Sequence, residues 1–291
     1  MDKIILNAAK EISDMFDSDS FNTLKTHAHR MNTPEFHLKR LIEDPGRLSG
    51  FSLNIPGFFY DFSRQRLDTA VRQTLNALAD DTGAQKMFAK MAAGNPVNPS
   101  EKRAALHTAA RGFLDSGLKP ENPQILSDIR TVAQNIRTFS QDVHNGRITG
   151  TRKKKFTDAV IVGIGGSYLG CEFVYKALES GKNPKINLHF LSNVDIDNFG
   201  QILARIDPDT CLWIIVSKSF TTTETMANLA QVQGFLSRHR LNPEDHLVTI
   251  TAKGSPGDDP SNPVLASFHM FDFIGGRYSV SSAVGGVPLS L

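Results

Sequence analysis

Three short segments of the chain carry residue types that suit phosphate and oxyanion chemistry. Residues 163–170, GIGGSYLG, contain four glycines and a serine. Residues 217–225, SKSFTTTET, contain six hydroxyl side chains and one lysine in nine positions. Residues 275–279, GGRYS, place an arginine directly after paired glycines. Glycines let a ligand approach the backbone, hydroxyls donate hydrogen bonds, and arginine keeps its charge. The three segments therefore predict a site for an anionic, phosphorylated ligand.

The first segment suits a phosphate but fits neither of two familiar nucleotide motifs. A helix that begins after the glycines would offer free N–H groups, and Ser167 would add a hydroxyl. A Walker A loop needs Lys followed by Ser or Thr after Gly170, where the chain has Cys171. A dinucleotide fingerprint that starts at Gly163 needs glycine where Tyr168 stands. Taken alone, a glycine turn after a strand is at least as often structural as functional.

The second and third segments each allow two interpretations. Thr221 and Glu224 could form a capping box at a helix start. Capping would explain these two residues but not all the hydroxyls, so we favour a cradle for a phosphomonoester. Glu224 could instead face the ligand. Arg277 suits the stabilisation of an oxyanion or enediolate, with a surface ion pair as the alternative.

The elements that must position these segments are strands that alternate with helices. Strands are predicted from short apolar runs at residues 159–162, 186–191, 211–216 and 246–251. Helices are predicted between them at residues 168–180, 196–206 and 223–240. Such a pattern predicts a parallel sheet that is covered on both faces. Ligands of these sheets bind outside the carboxyl ends of the strands, where the first two segments begin.

The first 118 residues or so are predicted to be mostly helical. One helix is expected over residues 101–113, with Asn98 as its N-cap and Pro99 at its first position. Another is expected over about residues 124–143. Pro120, between the two, indicates a boundary.

The composition excludes several classes of protein. The 291 residues are 40% hydrophobic and 21% charged, which is typical of a globular chain of about two domains. The net charge of +2 argues against a nucleic-acid partner, and the basic run at 152–155 is expected to be a solvated turn. Two cysteines exclude a disulfide framework, and the nine histidines have no metal-ligand spacing. Without a signal peptide or membrane helix, we expect a cytoplasmic protein with no membrane partner.

Taken together, these segments resemble the glucose-6-phosphate isomerase family, also called the phosphoglucose isomerase family. Residues 163–170 are similar to its first phosphate loop, and residues 217–225 to its second, commonly SKTFTTQET. Residues 275–279 are similar to the signature around its active-site arginine. Four further matches, in family order, are DPGR at 44–47, YDFS at 60–63, NPSEKRAALHTAAR at 98–111 and LSNVD at 191–195.

The resemblance implies a fold and an activity. The activity is that of an aldose–ketose isomerase that interconverts glucose 6-phosphate and fructose 6-phosphate through an enediol intermediate, without a cofactor or metal ion. The fold has two sugar-isomerase-type α/β domains. Residues 119–285 would be the smaller one, residues 1–118 a helical part of the larger one, and residues 286–291 the start of its missing sheet. A homodimer is expected for the full-length protein.

By motif match, the resemblance implies that the first two segments bind the sugar phosphate and that the third lies near the enediol intermediate. The phosphate-binding residues would be Gly166, Ser167, Ser217, Lys218, Ser219, Thr221 and Thr222. Arg277 would lie near the enediol, and Glu224 would have a supporting role. Ser219 keeps the hydroxyl of the usual threonine, whereas Thr223 replaces the usual glutamine and is given no contact.

The resemblance also implies that part of the catalytic machinery lies outside this sequence. Family members continue past GGRYS, and their glutamate base, a histidine from the partner subunit and a late lysine lie in that later half. We therefore expect an N-terminal portion that is inactive, or poorly active, by itself. A non-catalytic phosphosugar-binding module is the alternative hypothesis. A nucleotide-dependent oxidoreductase, with Asp195 at the ribose, is a third.

Overall fold

The computed structural model describes residues 16–97, 102–112, 119–179 and 184–291. Packing divides them into two compact units, the first of residues 16–90 and the second of residues 91–97 with the described residues from 102 onward. The predicted helix start at Asn98 and Pro99 lies outside the described residues. The predicted domain division, 1–118, 119–285 and 286–291, stays a prediction, since packing within this stretch does not define the domains of the whole protein.

The first unit is mostly helical and contains a β-hairpin that the sequence analysis missed. Its helices are α1 (Asp19–Met31), α2 (Leu38–Leu41), α3 (Arg47–Gly50), α4 (Thr69–Asp81) and α5 (Ala84–Ala93), the last of which continues past residue 90. Strands β1 (Ser52–Ile55) and β2 (Phe58–Asp61) pair antiparallel, and Gly57, with φ of 80°, makes the turn between them. A Pro-Gly turn between short apolar runs is the signal that could have predicted this hairpin.

A buried arginine holds the loops of the first unit. The Arg47 guanidinium donates to the carbonyls of Ser63, Gln65 and Leu67 at 2.6, 2.7 and 3.0 Å. A buried charge is costly unless its donors find partners, and these bonds occupy three of the five N–H donors of the guanidinium. The family-like segment at 44–47 therefore has a structural role here. Beside it lies a small core of Met31, Phe51, Leu67 and Val71.

A five-stranded parallel sheet forms the centre of the second unit, which confirms the predicted fold class. Its spatial order is β4-β3-β5-β6-β7. The strands are β3 (Asp158–Val162), β4 (Asn187–Leu191), β5 (Cys211–Val216), β6 (Leu247–Thr251) and β7 (Ala266–His269). The helices are α6 (His107–Gly112), α7 (Pro123–Asn145), α8 (Leu169–Leu178), α9 (Ile196–Leu203), α10 (Thr223–Arg238), α11 (Pro243–His246) and α12 (Ala283–Ser290).

Alternate side chains of the central strands bury two separate cores, so both faces of the sheet are covered as predicted. Ile161 and Ile214 face one core, with residues of α7 and α12. Val160 and Trp213 face the other, with residues of α9 and α10. Trp213 is fully buried, and burying a large apolar side chain contributes about 1.5–3 kcal/mol. The sheet is therefore a rigid base for the loops at its carboxyl edge.

The helix predicted over residues 101–113 is wrong for residues 102–106, which are not helical. The described helix there is α6, which begins at His107. The Leu106 N–H donates to the Phe273 carbonyl at 3.0 Å, and Leu106 is fully buried. Arg103 pairs with Asp272 at 2.9 Å. These long-range contacts override the local helix propensity, which is a weak constraint.

The edge strand β7 was not predicted, because its sequence, ASFH, is short and mixes polar with apolar residues. The turn at residues 152–155 occurs as predicted, and its Arg152 and Lys154 pair with Asp209. Among the helices that the structure describes, none is both long enough and apolar enough to cross a bilayer.

Candidate functional site

The first and third sequence segments touch each other beyond the ends of the strands. Gly166 follows β3, and a Cβ on it would lie 2.3 Å from the carbonyl carbon of Gly276. No side chain fits such a gap, so glycine at position 166 is required by the close approach of two loops. Ser167, beside it, is half-buried, and its hydroxyl has no hydrogen-bond partner within the described part of the chain.

A buried serine holds these two loops together. The Ser279 hydroxyl lies 2.7 Å from the Gly276 carbonyl and 3.0 Å from the Gly166 carbonyl, and its one O–H proton is shared between them. Ser279 is only 1% exposed. Ser279 thus links the loop that carries Gly166 to the loop that carries Arg277. Ser279 lies within the GGRYS segment, but its sequence position alone predicted no role for it.

The second segment turns between β5 and α10. Ser217 is buried, and its hydroxyl accepts a hydrogen bond from the Phe220 N–H at 3.1 Å. The Ser219 and Thr221 hydroxyls bond to each other at 2.7 Å at the exposed surface. Thr222, the N-cap residue just before α10, makes no side-chain capping bond.

The capping box considered for Thr221 and Glu224 is not formed, since Thr222 is the N-cap and the Thr221 hydroxyl bonds to Ser219. The first-turn N–H groups of α10 are therefore left without a side-chain acceptor from this segment. Together with the exposed hydroxyls, they form a group of donors that suits an anion. The Glu224 side chain is exposed in the first turn of the same helix.

Lys218 reaches the loop that precedes Arg277. Its Nζ lies 2.7 Å from the Asp272 carbonyl, 3.1 Å from the Asp272 carboxylate and 3.2 Å from the Ile274 carbonyl. The hydrogen bond from Lys218, and then that from Arg103, lower the pKa of Asp272. The Lys218 side chain thus connects the second segment to the third, and its ammonium is not directed at the hydroxyls of its own loop.

Arg277 is exposed, and its guanidinium makes no hydrogen bond or ion pair with any residue that the structure describes. The surface ion pair considered as its alternative role is therefore absent from the described part of the chain. The preceding loop is held by His107, whose Nε2 accepts a hydrogen bond from the Gly275 N–H at 2.9 Å. Because Nε2 is the acceptor, a neutral His107 carries its proton on Nδ1.

Sequence reasoning missed the role of His107, although this residue lies within the family-like segment at 98–111. The ring of His107 also meets that of Tyr278 edge to face, with centroids 5.9 Å apart. Asp195, considered for a ribose, instead caps α9 by accepting from the Asp197 N–H at 2.9 Å. That bond gives Asp195 a structural role and weakens the oxidoreductase hypothesis.

The sheet and its three joined loops define an open α/β protein with a group of anion-binding donors at its strand ends. A family model described as "Phosphoglucose isomerase" matches residues 61–291, and the chain belongs to this family. The family resemblance expected from the sequence is confirmed.

Relatives and a solved structure agree with this assignment. The chain is 52% identical over 283 residues to the glucose-6-phosphate isomerase of Desulfosudis oleivorans. This alignment covers 96% of the chain and 52% of the relative. It is 34% identical over 287 residues to a cytosolic glucose-6-phosphate isomerase of Spinacia oleracea, in an alignment that covers 94% of the chain and 50% of that relative. The crystal structure of a glucose-6-phosphate isomerase from Chlamydia trachomatis matches with a TM-score of 0.81 and 31% identity, over 94% of this chain and 52% of that one. The chain thus spans about half the length of the curated relatives it matches.

Proposed function

We propose that this chain carries the phosphate-binding loops and the catalytic arginine of an isomerase that interconverts glucose 6-phosphate and fructose 6-phosphate. The relatives from Desulfosudis and Spinacia are named for glucose 6-phosphate isomerisation, and the family match covers residues 61–291. The observation that carries the proposal is local. Arg277, with no partner among the described residues, is fixed by Ser279 to the first glycine-rich loop.

The phosphate group binds to hydroxyl and main-chain donors from two loops. The proposed ligands are the hydroxyls of Ser167, Ser217, Ser219, Thr221 and Thr222, with main-chain N–H groups near Gly166 and Lys218. Ser219 and Thr221 are exposed and bonded only to each other among the described residues, so a phosphate oxygen can replace that contact. Hydroxyls and N–H groups bind a phosphate dianion well because each such bond is charge-assisted.

Arg277 stabilises the enediolate that forms as a proton moves between C2 and C1. The guanidinium cannot lose its charge and is free to turn toward the developing oxyanion. A charge that binds the transition state more strongly than it binds the substrate raises kcat, and it leaves the affinity for substrate almost unchanged.

The general base is proposed to lie outside the loops described here. Asp272 is the carboxylate nearest to Arg277 along the chain, and its bonds to Lys218 and Arg103 lower its pKa and make it a weak base. Glu224 keeps its supporting role in this proposal. The active protein is proposed to be a homodimer, and the cytosolic name of the Spinacia relative supports a cytoplasmic location.

A non-catalytic phosphosugar-binding module is the second candidate. The specific observation that favours it is the absence, among the described loop residues, of an unpaired carboxylate beside Arg277. An assay of the natural, full-length gene product separates the two candidates. Turnover supports the isomerase, and sugar-phosphate binding without turnover supports the module.

Titration calorimetry of the chain tests the phosphate site that both candidates share. Glucose 6-phosphate and inorganic phosphate are expected to bind, whereas unphosphorylated glucose is not. Thr221→Val removes one proposed donor, and a lost charged hydrogen bond is expected to weaken binding about tenfold or more. Thr223→Val, an identical change at an exposed neighbour with no assigned contact, serves as the control. Equal binding of glucose and its 6-phosphate would contradict the proposal.

A further inference from the structure

The second phosphate loop contains a residue in an unfavourable backbone conformation. Phe220 has φ of 54°, in the left-handed region that bulky side chains rarely adopt. Its N–H bonds to the Ser217 hydroxyl at 3.1 Å, which closes the turn. A conformation of this kind persists only where surrounding contacts enforce it.

The contact that enforces it comes from the loop after β6. The Phe220 ring lies directly against Gly257, because a Cβ on Gly257 would be 2.3 Å from the ring Cδ2 and 2.7 Å from Cγ. Gly257 is itself fixed, since its carbonyl accepts a hydrogen bond from the Thr249 hydroxyl of β6 at 3.0 Å. Any side chain at position 257 must therefore displace the ring.

The start of the second phosphate loop is also joined through the main chain to β6 and to the residue that follows it. The Lys218 carbonyl accepts from the Ala252 N–H at 3.0 Å, and the Ser217 N–H donates to the Ile250 carbonyl at 3.1 Å. These bonds leave the second phosphate loop little freedom at its start. The Phe220 ring is half-buried and packs on the core that contains Trp213. This packing then positions the rest of the loop.

We propose that Gly257 and Phe220 are positioning residues for the phosphate site: the ring, seated on Gly257, sets the turn that presents Ser219, Thr221 and the first N–H groups of α10 to one phosphate group. This inference rests on the proposed function. It assigns a ligand-positioning role to a loop after β6 that lies outside all three sequence segments.

The test is a double-mutant cycle in the complete chain, with inorganic phosphate and glucose 6-phosphate as probes. Gly257→Ala is expected to raise both dissociation constants about tenfold, as expected for overpacking that shifts a ligand-binding loop. Phe220→Ala also weakens binding. Adding Gly257→Ala to Phe220→Ala then has no further effect, since the ring that clashes is gone. Circular dichroism verifies that each variant is folded.

Gly200→Ala is the matched control, because Gly200 lies in α9 with no atom within 4 Å of a new Cβ. It is expected to leave both dissociation constants unchanged. The Phe220 and Thr221 amides donate to the hydroxyls of Ser217 and Ser219. Hydrogen exchange at these two amides is expected to accelerate in Gly257→Ala and to stay unchanged in Gly200→Ala.

The outcomes separate the two proposals. If the unchanged chain binds neither probe, the proposed function is overturned and the positioning role with it. If the unchanged chain binds and Gly257→Ala binds equally well, only the positioning role is overturned. An equal penalty from Gly257→Ala in the presence and absence of the Phe220 ring would also overturn it, because the effect would not pass through that ring.

Discussion

At the scale of single residues, the two cationic side chains of the proposed site differ in their contacts. Arg277 is unpaired among the described residues, whereas the Lys218 ammonium is held by Asp272 and the Ile274 carbonyl. In the proposed function, neutral donors bind the phosphate dianion and Arg277 stabilises the charge that develops during the reaction.

In the active isomerase, Arg277→Ala is expected to lower kcat about 10²–10³-fold, the usual cost of removing one oxyanion-stabilising donor, with little change in KM. Steady-state kinetics with fructose 6-phosphate measure both constants. Arg238→Ala, at an exposed site in the last turn of α10, should leave both unchanged. An unaltered kcat in Arg277→Ala would remove Arg277 from the mechanism.

Ser279→Ala is expected to destabilise the chain by about 0.5–1.5 kcal/mol, because it removes the buried hydroxyl that bonds the Gly166 and Gly276 carbonyls. Urea unfolding measures the change. Thr131→Ala is the comparison, since the exposed Thr131 hydroxyl donates to the Ser127 carbonyl of its own helix at 2.9 Å and its loss should cost almost nothing. Equal stabilities of the two variants would show that Ser279 does not hold the loops together.

The sequence predicted which residue types gather at the site but not how each is used. Glycines, hydroxyls and an arginine at strand ends have a direct chemical meaning. The direction of the Lys218 side chain and the acceptor role of His107 depend on residues more than fifty positions away. Such long-range contacts leave no local trace in the sequence.

At the scale of elements, prediction succeeded where burial dictates the pattern. Strand β5 was predicted at its observed bounds because every residue in it is apolar and buried. The predicted helix near residues 124–143 is α7, which is followed by its C-cap Gly146 in the left-handed conformation. Prediction failed for β7, for the β1–β2 hairpin and for residues 102–106, where the conformation is set by partners in space.

Two glycines in open space should respond oppositely to the same substitution. Neither Gly200 nor Gly254 has an atom within 4 Å of a new Cβ, but Gly254 has φ of 74°. Gly200→Ala should stabilise the chain by about 0.4–1 kcal/mol, because alanine favours a helix and restricts the unfolded chain. Gly254→Ala should destabilise it by about 1 kcal/mol through left-handed strain. Thermal unfolding of both measures the difference, and a shift of the same sign would contradict this account.

The loop after β6 should weaken in acid through one aspartate. Hydrogen bonds from the Gly254 N–H and then from His269 lower the pKa of Asp258 below its ordinary 3.8. The ionised carboxylate therefore stabilises the fold above that ordinary pKa, and the contribution is lost as the pH falls through the lowered one.

Asp258→Asn removes that dependence. The stability difference between the unchanged chain and this variant should shrink when urea unfolding is compared at about pH 5 and about pH 3, the range in which carboxylates titrate. A difference that stays constant between the two pH values would show that Asp258 is not held ionised by this loop.

At the scale of the whole molecule, the second unit already contains a closed core and the three loops. The chain spans about half the length of its relatives, and family membership rests on residues 61–291. Binding and turnover can therefore be separated: we expect the chain alone to bind sugar phosphate and to give no isomerase turnover in a coupled assay. Turnover by the chain alone would place the general base within these 291 residues.

The phosphate site is tested by amide chemical-shift mapping of the isotope-labelled chain with glucose 6-phosphate and with glucose. We expect the phosphorylated sugar to shift the amides of residues 165–168, 218–224 and 276–278 together, and glucose to shift none of them. Shifts confined to another part of the chain, or equal shifts with both sugars, would contradict a phosphate site at the carboxyl edge of the sheet.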